Sequence, residues 1–185
     1  MGCNISSQGR QSDKYYDADT SKASHVFLAH NWGEDELGRN NHDRVSRIND
    51  RLKVEGLVTW FDSDRMMGNI VKQMTAGIDN THVVVVFITK DYVEKVGGFN
   101  SNDNCQIEFE YAFRFKTRAM MLPVVMESRM RNTACWKGQV GTYEHLFLFI
   151  ILMNGNCCHI LKVFLAMHFM STSWMMTNLR VTLKI

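Results

Sequence analysis

The 185-residue chain predicts an α/β protein: a doubly wound parallel sheet with helices on both faces. Three observations lead there. Val83-Val84-Val85-Val86-Phe87-Ile88 is an unbroken apolar run bounded by polar residues, which is what a strand buried on both faces presents. Shorter apolar runs stand at Val26 to Ala29, Leu57 to Phe61 and Ala119 to Met126. The stretches between them carry apolar residues at helical spacing, and strand alternating with helix is the signature of a parallel sheet.

In chain order, residues 1–24 are polar without apolar periodicity and read as an arm. His25 to Ala29 is the first strand. After an acidic and polar loop, His42 to Glu55 places Val45, Ile48, Leu52 and Val54 at helical spacing with charged residues between them, and Gly56 suits the position just past that helix. Leu57 to Phe61 is the second strand. The loop Asp62-Ser63-Asp64-Arg65-Met66-Met67-Gly68-Asn69 leads to a helix from Ile70, with Val71, Met74 and Ile78 on one face. The valine strand follows and is ended by Thr89, Lys90 and Asp91. A polar loop with Gly97-Gly98 then leads to a helix from Cys105 to Phe115. Ala119 to Met126 is the fourth strand, where Pro123 suggests an irregularity or a local edge. With strand order 2-1-3-4 the topological switch lies between the first and third strands. Its mouth is then built from Asn31-Trp32-Gly33 and Lys90-Asp91-Tyr92, with Glu108 nearby.

Composition bounds the function. The length suits one domain with a real core. A net charge of +2 is too small to point to nucleic acid. Five cysteines without framework spacing or a preceding secretory signal read as reduced thiols in the cytosol. Cys157-Cys158-His159 resembles a metal site only in composition, lacking a second ligand pair at finger spacing, and no metal is expected. Neither phosphate-cradling glycine pattern occurs. Met1-Gly2-Cys3-Asn4-Ile5-Ser6 fits the acceptor pattern for N-myristoylation of Gly2 in a eukaryotic cell. Cys3 beside it suits a palmitoyl chain, and two chains make an anchor stable where one does not.

The tail, 142–185, is apolar in two runs, Leu146 to Met153 and Ile160 to Met170, interrupted by Asn154-Gly155-Asn156, Lys162 and His168. Neither run reaches the roughly 18 to 20 residues of a membrane span. Three readings stay open: a diverged last strand and helix, an altered reading of the gene such as a retained intron, or a membrane-associating hairpin.

Several motifs in order give the chain a resemblance. From about Ser24 to Gly141 it resembles a Toll/interleukin-1 receptor (TIR) domain, with the domain proper at 25–141. The matching pieces are Val26 to His30, the GLVTWFD stretch Gly56 to Asp62, and Met67-Gly68-Asn69-Ile70 with Ala76-Gly77-Ile78. They continue with Val84 to Tyr92, Cys105-Gln106-Ile107-Glu108 at the family's C-x-x-E spacing, and Trp136-Lys137-Gly138 with Gly141. Together they cover about two thirds of the chain.

The resemblance implies a flavodoxin-like fold and one of two activities. Many TIR domains are signalling adaptors, innate immunity included, that self-associate or pair with other TIR domains through the loop matching Asp62 to Asn69. Others cleave NAD between nicotinamide and ribose with the glutamate that aligns with Glu108. In such an enzyme NAD is the substrate, no cofactor is needed, and Asn31, Trp32 and Tyr92 are the candidates to contact it. Nicotinamide leaves as a neutral amine, so one carboxylate suffices to stabilise an oxocarbenium-like ribose or hold its hydroxyls. Where enzymatic members carry Trp four residues before that glutamate, this sequence has Asn104, which removes an aromatic wall. On the residues alone, Glu108 equally suits an exposed carboxylate favoured by the helix dipole. Glu110 is expected to face elsewhere on the same helix. Cys105 suits a small buried hydrophobe better than a reactive thiol. Trp32, Trp60 and Trp136 are able to stack on a base, although Trp60 lies within a strand and is expected in the core. With the lipids as an address, the protein is expected at the cytoplasmic face of a membrane.

Overall fold

A computed structural model of the chain describes residues 24–61, 69–98, 100, 102–116, 120–142 and 151–152. Gly2, Cys3, residues 62–68 of the expected interaction loop Asp62 to Asn69, Cys157-Cys158-His159 and nearly all of the tail lie outside the described residues.

The sheet has five strands: β1 (Ser24–Ala29), β2 (Thr59–Trp60), β3 (Thr81–Ile88), β4 (Met121–Val125) and β5 (Ile151–Leu152). Their order is β2-β1-β3-β4-β5, and every pairing is parallel. The valine strand is central, as its double-sided apolar run requires. Five helices connect the strands: α1 (Asn41–Val54), α2 (Ile70–Asp79), α3 (Lys90–Val96), α4 (Asn104–Phe115) and α5 (Gly138–Gly141). The alternation of β3 side chains sorts the core into two layers. Val84, Val86 and Ile88 pack with residues of α2, α3 and α4, whereas Val83, Val85 and Phe87 pack with Val45, Ile48 and Leu52 of α1.

The helix boundaries follow from capping. Asn40 accepts the Asp43 N–H at 2.9 Å to start α1. Gly56 ends it at φ 83°, and the Leu57 N–H returns to the Leu52 carbonyl at 3.0 Å, which is Schellman closure. Asn69, the last residue of the interaction loop, caps α2 by accepting the Lys72 N–H at 3.1 Å.

Several expectations need correction. Val54 is 84% exposed, because it stands two residues, about 200° of helix rotation, beyond Leu52, where the buried stripe of α1 ends. Val71 is exposed as well, and Gly77 takes its place on the buried face of α2. The polar stretch after β3 is not all loop. Thr89 accepts the Tyr92 N–H at 3.0 Å and thereby starts α3, whose Tyr92, Val93 and Val96 are buried. Pro123 pairs with Val86 on the β3 side, and the described pairing with β5 starts only at Val124, so the proline stands at the local edge expected of it.

Candidate functional site

The carboxylate singled out above belongs to α4. Asp103 caps that helix by accepting the Cys105 N–H at 2.9 Å. Cys105, Glu108, Phe109 and Ala112 form its buried face, the spacing of one helical stripe. The Cys105 thiol donates to the His30 carbonyl at 3.7 Å, which seats the start of α4 on the end of β1. Burial raises that thiol far above its ordinary pKa, and the Glu108 and Asp103 carboxylates push it the same way. It is therefore a neutral packing group rather than a nucleophile. Glu108, one turn on, is only 8% exposed, so the surface-carboxylate alternative is overturned. Glu110 does face elsewhere: it accepts from Gln106 Nε2 at 2.8 Å and borders a groove against α2.

The other nucleotide candidates separate. Asn31 has no exposed surface. Its Oδ1 accepts the Thr89 hydroxyl at 2.6 Å, and its Nδ2 donates to the Trp32 carbonyl at 3.3 Å, so it ties the β1 and β3 loops together. Tyr92 is equally buried, edge-on to Phe109. As placed, neither has surface to offer a ligand. Trp32 does, being 52% exposed. Trp60 stacks on Phe27 at 4.2 Å, and Trp136 donates its Nε1–H to the Met130 carbonyl at 2.9 Å. Both are core, which for Trp60 was expected.

The sequence reading missed two constellations beside this mouth. One is a column of rings. Trp32 stacks on His42 at 4.0 Å, and His42 stacks on His30 at 5.1 Å and on Phe61 at 4.9 Å. His30 Nδ1 lies 3.1 Å from the Leu28 carbonyl and must donate to it. Its Nε2 therefore accepts from His42 Nδ1, 2.9 Å away. The second is an ionic rim. Arg44 Nη1 meets the Asp35 carboxylate at 2.6 Å, and its Nη2 donates to the Met126 carbonyl at 3.1 Å. Burial alone would raise the Asp35 pKa, but hydrogen bonds from Arg39 and Leu37 and the Arg44 charge outweigh it and hold the carboxyl below its ordinary value. Glu127 accepts the backbone N–H groups of Glu36 at 3.2 Å and Lys90 at 3.0 Å, and Arg129 bridges Glu127 and Glu36. A hint of this rim stood in the acidic loop after Trp32, but its partners lie about 90 residues away.

A five-stranded parallel sheet in this order, with connecting helices on both faces, defines a flavodoxin-like α/β domain, and its buried Glu108 lies on the second helix after the central strand. The family model of the TIR domain matches residues 26–149, and the chain belongs to that family. No curated protein matches it. TIR domains act through association with other TIR domains or by cleaving NAD. Among the described residues no helix is long and apolar enough to cross a membrane. Ile151–Leu152 of the apolar tail forms β5.

Proposed function

We propose that this chain signals by associating with other TIR domains, copies of itself included, at the cytoplasmic face of a membrane. The observation that carries this reading is the outer face of α2 and α4. Val71 and Phe115 are exposed there, and with Ile107, Tyr111 and Arg114 they line a groove of about 230 Å³. Neighbouring exposed apolar side chains favour a protein partner. Glu110 and Arg114 place both charges on the rim, so a second copy can present the complement. Val71 lies in the first turn of α2, the helix that follows the loop of residues 62–69. Myristate on Gly2 and palmitate on Cys3 supply the membrane address, with Gly2→Ala expected to move the protein into the soluble fraction. Sedimentation velocity of the full chain over a concentration series tests the association. Val71→Glu with Phe115→Glu should leave a folded monomer, and association equal to wild type would sink the reading.

A second reading has its own observation in the burial of Glu108. We infer that it is the essential carboxylate of an NAD glycohydrolase. A carboxylate kept from bulk water interacts more strongly with positive charge developing on the ribose. Water adds to the ribose carbon as the bond to nicotinamide breaks, nicotinamide leaves with the bonding pair, and the water loses one proton to solvent. Nicotinamide release by the full chain beside Glu108→Gln, which keeps the shape and removes the charge, decides it. Equal release from both would remove Glu108 from the chemistry.

A further inference from the structure

Trp32 is a large aromatic residue held in place at the surface, with 52% of its area exposed. Its backbone lies between two fixed points. Asn31, buried and bonded to Thr89, donates to the Trp32 carbonyl, and the Asn41 N–H donates to the Gly33 carbonyl at 2.8 Å. Its indole lies 26° from parallel to the half-buried His42 ring. His42 is aimed in turn by a chain of bonds: the Leu28 carbonyl orients His30, and His30 Nε2 orients His42 Nδ1. Phe61, the last described residue before the interaction loop, backs both imidazoles at 5.3 and 4.9 Å. An aromatic ring fixed this way loses little conformational freedom when a flat ligand settles on it.

We propose that Trp32 is the stacking platform for the planar heterocycle of a nucleotide, and that His42 is the positioning residue that holds the indole flat. The substrate class rests on the NAD-cleaving reading. The platform and Glu108 lie near one element: His30, at the end of β1, orients the ring column through its side chain, and its carbonyl receives the Cys105 thiol one turn before Glu108. A dinucleotide with one ring on Trp32 has ribose and phosphates to reach toward that carboxylate. In this arrangement Trp32 supplies an aromatic wall where Asn104 offers none.

The test is calorimetric titration of the full chain with AMP and with nicotinamide mononucleotide, which also tells which heterocycle takes the platform. Trp32→Ala should weaken binding of at least one probe about 5- to 100-fold, the range for losing a base–aromatic stack. Trp32→Phe should keep most of it, which guards against a folding artefact. His42→Ala should weaken the same probe about 3- to 10-fold, and His42→Phe, which restores a ring but not the hydrogen bond, should return it to within about twofold of wild type. Binding of neither probe, or wild-type binding by a folded Trp32→Ala, overturns the platform. Failure of His42→Phe to rescue overturns the positioning role. The two readings fail separately: probe binding without nicotinamide release from NAD leaves the platform and removes the enzyme. Release with an unchanged KM in Trp32→Ala does the reverse.

Discussion

Replacing Gly77 by alanine should destabilise the protein, although alanine is the better helix former. Gly77 lies on α2 flush against the Trp60 indole. A Cβ built there would sit 2.5 Å from Nε1, 2.7 Å from Cε2 and 2.8 Å from Cδ1, where carbon contacts settle at about 3.5 to 4.0 Å. The indole cannot retreat, since it is 4% exposed and stacked on Phe27 at 4.2 Å. Either the ring pair or α2 must therefore move by about 1 Å. Overpacking of a core costs about 1 to 3 kcal/mol, and a locked ring belongs at the upper end. Alanine in place of glycine returns about 1 kcal/mol of helix propensity. The net loss is about 1 to 2 kcal/mol, a fall in Tm of roughly 2 to 8 °C for a chain of this size. Thermal unfolding of Gly77→Ala measures it, and the same change in a Trp60→Phe background isolates the cause. The smaller ring should recover about 1 kcal/mol of the loss as coupling. A raised Tm in the wild-type background, or an equal loss in both, would refute the steric argument.

Three further outcomes follow from the charged and thiol groups. His25 is held below its usual pKa by burial and then by His82, and His82 by burial and then by Lys116. The unfolded chain therefore takes up protons first. The stability from these histidines is present above pH 6.5 and declines as pH falls from there through the depressed folded values; urea midpoints from pH 7.5 to 5 should show this, less steeply in His82→Asn, and identical slopes would contradict it. Asp35→Ala leaves Arg44, whose side chain is 12% exposed, without its carboxylate and should cost about 3 kcal/mol; a loss under 1 kcal/mol in urea unfolding would show the rim to be marginal. In native protein at pH 7.5 a maleimide should label exposed Cys135 and spare buried Cys105 until denaturant is added, as peptide mapping would report; early labelling of Cys105 would contradict its placement on the buried face of α4.

What the sequence made legible was what depends on local pattern. The valine run, Gly56 at the end of α1 and the apolar stripe of α1 each follow from nearest-neighbour chemistry, whereas the strand order was assumed from the fold class and the role of Glu108 came from the family resemblance. The failures have physical reasons. Val71 has the right spacing for the core, but Gly77 brings α2 so close to Trp60 that the buried face turns toward Met74, Gly77 and Ile78. The start of α3 depends on a threonine hydroxyl that also donates to Asn31 across 58 residues. Asn31 and Tyr92 sit at the right end of the sheet, and their surfaces are used internally. The ring column escaped notice because Trp32, His42 and Phe61 meet only once β1, α1 and β2 are assembled.

Glu127 divides the rim of the sheet into two mechanical halves. Through one buried carboxylate, the segments after β1, β3 and β4 share hydrogen bonds, so none of the three can be displaced without straining the others. The ring column belongs to the opposite side, toward β2, where the contacts among the described residues include stacked faces and an imidazole pair. Hydrogen bonds to a carboxylate fix both distance and direction, whereas stacked rings fix mainly the plane of each face. A molecule approaching the mouth therefore meets directional polar bonds on the β4 side and a column of ring faces, aligned through the His30–His42 bond, on the β2 side.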